Sequence, residues 1–113
     1  MEDEQRLDGV GLNIQAVNIE VDDDFRDRIV QSLGKLRRYY SGDVIIAEVY
    51  MREEAHPGPN EKSLRIRCGV PGTEVFAEES GQNWDAMLND VTAKLKRQLE
   101  HKFANSQNSY RNR

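Results

Sequence analysis

Apolar residues along this chain change their spacing three times: from every second residue to one face of a helix, back to every second residue, and again to a helical face. Each segment is apolar on one side only. Leu12, Ile14 and Ala16 alternate with Asn13, Gln15 and Val17, which predicts a first strand continuing toward Ile19 and Val21. Phe25, Ile29, Leu33, Leu36 and Tyr40 follow at steps of three and four, the stripe of an amphipathic helix. Asp22, Asp23 and Asp24 precede that stripe as N-cap candidates and favourable first-turn charge. Ser41-Gly42-Asp43 closes it, and Lys35, Arg37 and Arg38 suit the negative end of the helix dipole.

The alternation then returns. Ile45, Ala47, Val49 and Met51 share one face of a strand predicted over 44–53, with Glu48, Tyr50 and Arg52 on the other. The stretch EEAHPGPNEK reads as a loop, since its prolines cannot donate to a strand ladder. Leu64, Ile66, Cys68 and Val70 point inward in a third strand, with Arg65 and Arg67 outward. Pro71-Gly72 turns the chain into a fourth strand over 73–79, where Val75 and Ala77 continue the apolar face and Phe76 points the opposite way. After Ser80-Gly81-Gln82-Asn83, a second helix carries Trp84, Leu88, Val91, Leu95 and Leu99, with Met87 and Phe103 flanking.

One-sided elements must hide their apolar sides against one another. The economical solution is an α+β fold of order βαβββα, in which two helices lie side by side on one face of a four-stranded sheet and the other face meets solvent. Strands two to four form an antiparallel meander, and strand one returns through the first helix. The expected organisation is a flexible acidic leader at 1–10, a single domain over 11–104 and a disordered polar tail at 105–113.

Composition narrows the function classes. The 113 residues have a mean hydropathy of -0.80, and the longest apolar run, Val44 to Ala47, is far short of the ~20 residues of a spanning helix. The acidic start MEDE is unlike the basic beginning of a signal peptide, so a cytoplasmic protein with no membrane role is expected. One cysteine and two histidines provide neither an internal disulfide nor a zinc-ligand set. The sequence contains no phosphate-binding glycine loop, nucleophile elbow or metalloprotease motif. Cys68 is expected in the core, His56 has no assigned role, and Glu53-Glu54 and Glu78-Glu79 are strand neighbours that face opposite ways. The expectation is no enzyme, no catalytic residue, no metal, no cofactor and no small-molecule substrate.

A net charge of -4 conceals strong segregation. Residues 1–34 carry nine acids against three bases, whereas residues 94–113 carry six bases against Glu100 alone. Lys35 and Arg38 lie three apart on the first helix beside Arg37. On the second, Lys94 and Arg97 lie three apart with His101 four further on. Two such strips on the solvent side of a helical layer can merge into one groove for phosphate backbones. Dipole complementarity alone produces the same placement, so charge by itself leaves ordinary solvated faces open as a reading.

The run NIEVDDDFRDRIVQSLGKLRRYY, with SGQNWDAMLNDVTAKLKRQLEHK after the strands, resembles the ribosome hibernation promoting factor and ribosome-associated inhibitor A family, also called sigma-factor modulation proteins, in its short form. The resemblance spans about residues 12–102. It rests on the entry NIEV into an acidic helix cap, on KLxRY (Lys35, Leu36, Arg38, Tyr39) and on KLxRQL (Lys94, Leu95, Arg97, Gln98, Leu99). It implies a βαβββα fold related to the double-stranded-RNA-binding domain. It also implies a stress or stationary-phase translation inhibitor that binds the 30S subunit and the 70S ribosome in the mRNA–tRNA channel, without catalysis.

The family's RNA-contacting bases carry over to Lys35, Arg38, Lys94 and Arg97. Arg37 and Lys96 are bases at positions the family leaves variable, and His101 and Lys102 complete the expected RNA-binding set. Gln31, Ser32 and Glu100 stand where family members often carry bases, so binding weaker or more salt-sensitive than that of a basic relative is expected. Pairing of ribosomes is expected to need another hibernation factor. The competing expectation is a protein-interaction regulator of the same fold with reduced RNA binding.

Overall fold

The computed structural model describes residues 10–36, 45–56, 58–70 and 72–111. Strand β1 (Val10–Val17) leads into helix α1 (Asp23–Gly34). Strands β2 (Ile45–Glu53), β3 (Lys62–Val70) and β4 (Thr73–Gly81) follow, and then helix α2 (Trp84–Arg111). The four strands lie in sequence order in one sheet. β1 runs parallel to β2, as a strand returning through a helix must, while β2, β3 and β4 are antiparallel. This is the α+β, βαβββα architecture that the changes of period predict.

Both helices pack on the face where the strand alternation points its apolar side chains. Ala47, Val49 and Met51 of β2, Leu64, Ile66 and Cys68 of β3, and Val75 and Ala77 of β4 are buried there. α1 meets them with Phe25, Ile29, Val30 and Leu33, and α2 with Met87, Leu88, Val91, Leu95 and Leu99. Trp84 closes one end of this core, its ring edge-on to Phe25 with 6.2 Å between centroids. Leu12 is buried and Ile14 partly so, but Ala16 at the end of the same face is exposed.

The caps account for the helix starts. The Asp22 carboxylate accepts from the Phe25 N–H at 2.8 Å, and the Asn83 side chain accepts from the Ala86 N–H at 2.9 Å, so each satisfies one orphan donor of a first turn. Asp23 and Asp24 add first-turn negative charge to α1. Past Gly34 the chain tightens into a short 3₁₀ turn at Lys35 and Leu36, with Leu36 buried. The expected stop at Ser41-Gly42-Asp43, together with Arg37, Arg38, Tyr39, Tyr40 and most of the expected leader, lies outside the described residues.

Several boundaries differ from the sequence reading: α1 gives way after Gly34 to the 3₁₀ turn where a helix through Tyr40 is expected, and β4 runs on to Gly81. β1 ends at Val17 instead of continuing toward Ile19 and Val21, because Asn18 adopts a left-handed backbone with φ of 64°, a conformation that ends a strand. The Asn18 side chain donates to the Glu53 carbonyl at 3.3 Å, and Ile19 and Val21 still pack against the core. At the other end, α2 continues past residue 104 to Arg111, through the segment whose composition predicts a tail.

The turns follow their residues. Val70 pairs with Thr73 across the Pro71-Gly72 turn, where Gly72 takes the positive φ of 81° that this tight reversal demands. The proline-containing loop is tied at its neck by the Glu54 N–H to Glu61 carbonyl bond at 2.6 Å. It is tied again where Gln82 donates to the Gly58 carbonyl at 3.0 Å. Within it the Glu61 carboxyl is held below the usual carboxylate range, chiefly by its hydrogen bond from Lys62.

Candidate nucleic-acid interface

α1 and α2 lie side by side, and their first contact is ionic. Arg28 Nε donates to Asp85 Oδ1 at 2.9 Å, linking the middle of α1 to the first turn of α2. Below this pair a shallow groove of about 220 Å³ runs between the helices, lined by Arg28, Gln31, Ser32 and Lys35 from α1 and by Asp85, Leu88 and Asn89 from α2. Lys35 is exposed at the C-terminal end of α1, where a cation complements the helix dipole.

The bases of α2 divide between two sides of that helix. Lys94 leans toward β4, where its Nζ reaches the Glu79 carboxylate at 2.5 Å and donates to the Glu78 carbonyl at 3.3 Å. Gln98, four residues on, bonds both backbone groups of Phe76 in the same strand. Helical spacing places His101 on this side and Arg97 between it and the outer surface. Lys96 shares the side of Asp85, Asn89 and Thr92, toward α1. Arg97, His101 and Lys102 are exposed.

The structure therefore brings Lys35 and, by helical spacing, Lys96 to the interhelical side and sets Lys94 on the flank of α2 that meets β4. Arg37 and Arg38, also expected in the site, lie outside the described residues. Lys94 is already neutralised by Glu79. Among the described residues Lys35, Arg97 and Lys102 make no ion pair. These three present uncompensated charge on the helical layer.

The opposite, open face of the sheet carries three arginines, and each has a carboxylate beside it. Arg52 lies 3.4 Å from Glu54, and Arg65 lies 4.0 Å from Glu78. Arg67 sits 3.6 Å from both Glu48 and Glu74. The Arg65 guanidinium also stacks on two rings, 5.8 Å from the Tyr50 centroid and 5.3 Å from that of Phe76. This contact accounts for the outward phenylalanine, which is 50% exposed. The sequence signalled the direction of Phe76 but not the guanidinium that covers it.

Cys68 is buried on the helical side of β3. Desolvation pushes its thiol up to about 12, so it stays protonated and unreactive at neutral pH. A cleft of about 330 Å³ lies where the first turns of the two helices meet, floored by Phe25, Met51 and Trp84 and rimmed by Arg28 and Asp85. Among the described residues its lining includes no serine, cysteine, lysine or histidine. Among the described residues no group of three or more His, Cys, Asp or Glu side chains is arranged to hold a metal ion, and no helix is long and apolar enough to cross a membrane.

Residues 12–104 match the family model described as Sigma 54 modulation protein / S30EA ribosomal protein. Among solved structures, the chain is similar to the N-terminal domain of Protein Y from Thermus thermophilus. The two are 25% identical with a TM-score of 0.64, over 79% of this chain and 97% of that one. A ribosomal subunit interface protein from Coxiella burnetii shares the fold at 17% identity and a TM-score of 0.60, over 80% of this chain and 97% of that one.

Proposed function

The chain belongs to the sigma 54 modulation protein / S30EA ribosomal protein family, and on that premise we propose that it is a ribosome-associated translation inhibitor of resting or stressed cells. It binds small-subunit ribosomal RNA in the mRNA–tRNA channel through the outer surface of its helical layer. The observation that carries this reading is the charge contrast between faces: among the described residues, Lys35, Arg97 and Lys102 stand exposed without a carboxylate partner, whereas each arginine of the open sheet face has one. Bases without partners lose no ion pair when they meet a phosphate, and release of the RNA's counterions then drives association.

Folded RNA is recognised largely through phosphates and shape, and two helices backed by a sheet form a rigid surface for such contacts. The contribution of Lys94 is conditional, because Glu79 must release it first. That pair, with Glu100 on the same helix, is the specific observation that favours the second reading, a protein-interaction regulator with reduced RNA binding. Neither reading requires catalysis or a cofactor, and both place the protein in the cytoplasm.

Chemical footprinting of ribosomal RNA in 30S subunits and 70S ribosomes tests the assignment. Protection confined to the channel lining, accompanied by loss of mRNA-directed synthesis, is the expected result. Protection elsewhere, or none with synthesis unchanged, would move the assignment to the regulator.

A further inference from the structure

The two edges of the sheet are finished differently. Along β4, the side-chain amide of Gln98 holds both outer backbone groups of Phe76: Nε2 donates to the carbonyl at 2.7 Å, and Oε1 accepts from the N–H at 3.2 Å. Lys94 donates to the Glu78 carbonyl in the same strand. α2 thus supplies by side chain what a fifth strand would supply by backbone, and Glu74, Glu78 and Glu79 add charge along that edge.

β1, at the other edge, is laddered to β2 on one side. Among the described residues, no hydrogen bond reaches its other side. Its sequence, VGLNIQAV, contains no charged residue and no proline, two of the devices by which proteins block an open edge. Asn13, Gln15, Ala16 and Val17 are all exposed along it.

We propose that β1 pairs antiparallel with β1 of a second copy of this chain, joining two four-stranded sheets into one. The strand is complementary to itself about Ile14. In the register that sets Ile14 opposite its counterpart, Asn13 faces Gln15 and Leu12 faces Ala16. The offsets are even, so helix-side residues meet helix-side residues and open-face residues meet open-face residues. Amide side chains then hydrogen-bond across the open face, and apolar side chains continue the core side across the two-fold axis. No like charges are brought together. An uncharged strand has no charged partner to select, and its own alternation is the pattern it fits best.

Sedimentation equilibrium of the full chain, from micromolar into millimolar concentrations, tests this directly. The wild type should pass reversibly from monomer to dimer. Asn13→Lys with Gln15→Lys, both at exposed open-face positions, places lysine opposite lysine at two points and should weaken association by about tenfold or more, with an unchanged thermal melt. Asn13→Lys with Gln15→Glu sets each new charge opposite its complement and should restore the dimer. A wild type that stays monomeric throughout overturns the proposal, as does a dimer indifferent to both variants. Capture of a foreign extended peptide on β1 by a chain that never self-associates would overturn the choice of occupant.

Discussion

On the open face of the sheet Arg52, Arg65 and Arg67 each lie within 4.0 Å of a carboxylate, while Arg97, Lys102 and Lys35 on the helical layer have no such partner among the described residues. Cross-strand register produces the first arrangement: Arg65 pairs with Glu78, and Glu48 with Arg67. On α2, Lys94 pairs with Glu79 of β4, and although Glu100 lies three residues after Arg97, neither Arg97 nor Lys102 makes an ion pair among the described residues. Formal charge is thus a poor guide to which face attracts an anion. What matters is whether a base already has a partner.

The largest effect should come from removing the helical bases. Lys35→Ala, Arg38→Ala, Lys94→Ala and Arg97→Ala together should weaken ribosome binding by on the order of a hundredfold or more at low salt, in a filter or sedimentation assay, since each phosphate contact is worth about 1 kcal/mol or more. Arg65→Ala with Arg67→Ala on the open face should change binding by less than about threefold. Equal losses from both sets would erase the contrast between the faces.

The faces should also differ in stability. Leu95→Ala, at a position fully buried between α2 and the sheet, should cost about 2–5 kcal/mol in urea unfolding. Phe76→Ala, half exposed on the open face, should cost about 1 kcal/mol, from its guanidinium contact and partial burial.

Cys68 sharpens the same division from inside. Because its thiol is pushed up to about 12 in the folded chain, from about 8.5 when unfolded, the folded state keeps a proton that the unfolded state loses. The stability associated with this proton is fully present below about pH 8.5 and is lost as pH rises toward 12. Urea titrations of the wild type and Cys68→Ala should therefore diverge above pH 8.5, with the wild type falling more steeply. The native thiol should resist alkylation until the protein is denatured.

The smallest effect concerns Thr92, whose buried hydroxyl has no hydrogen-bond partner among the described residues. Thr92→Val removes a desolvated polar group at nearly constant shape and should leave stability unchanged or raise it by about 1 kcal/mol. A loss of that size would reveal a partner for the hydroxyl.

Much of the fold could be read from the period of the apolar residues, because burial imposes that period directly. The Asp22 cap and the outward turn of Phe76 follow from local chemistry in the same way. The end of β1 at Asn18 did not, since a left-handed asparagine leaves no mark on the alternation, and Ile19 and Val21 stay apolar because they still touch the core. Nor did the extension of α2, where the backbone ladder runs on after the apolar stripe has ended.

The site was harder to read than the fold. Spacing identifies which bases share a side of α2, but not that β4 lies beside one of them. The Lys94–Glu79 pair and the clasp of Gln98 on Phe76 both depend on that neighbour. Arg28 and Asp85 are 57 positions apart and meet only because the helices pack together.

The central claim is that bases of the helical layer hold ribosomal phosphates. Its most direct test is co-sedimentation of the purified protein with 30S subunits at low and at physiological salt. The account predicts binding that falls on the order of a hundredfold across a fourfold rise in salt, as about four phosphate contacts require. Binding unchanged by salt would contradict it, and so would no binding at either salt.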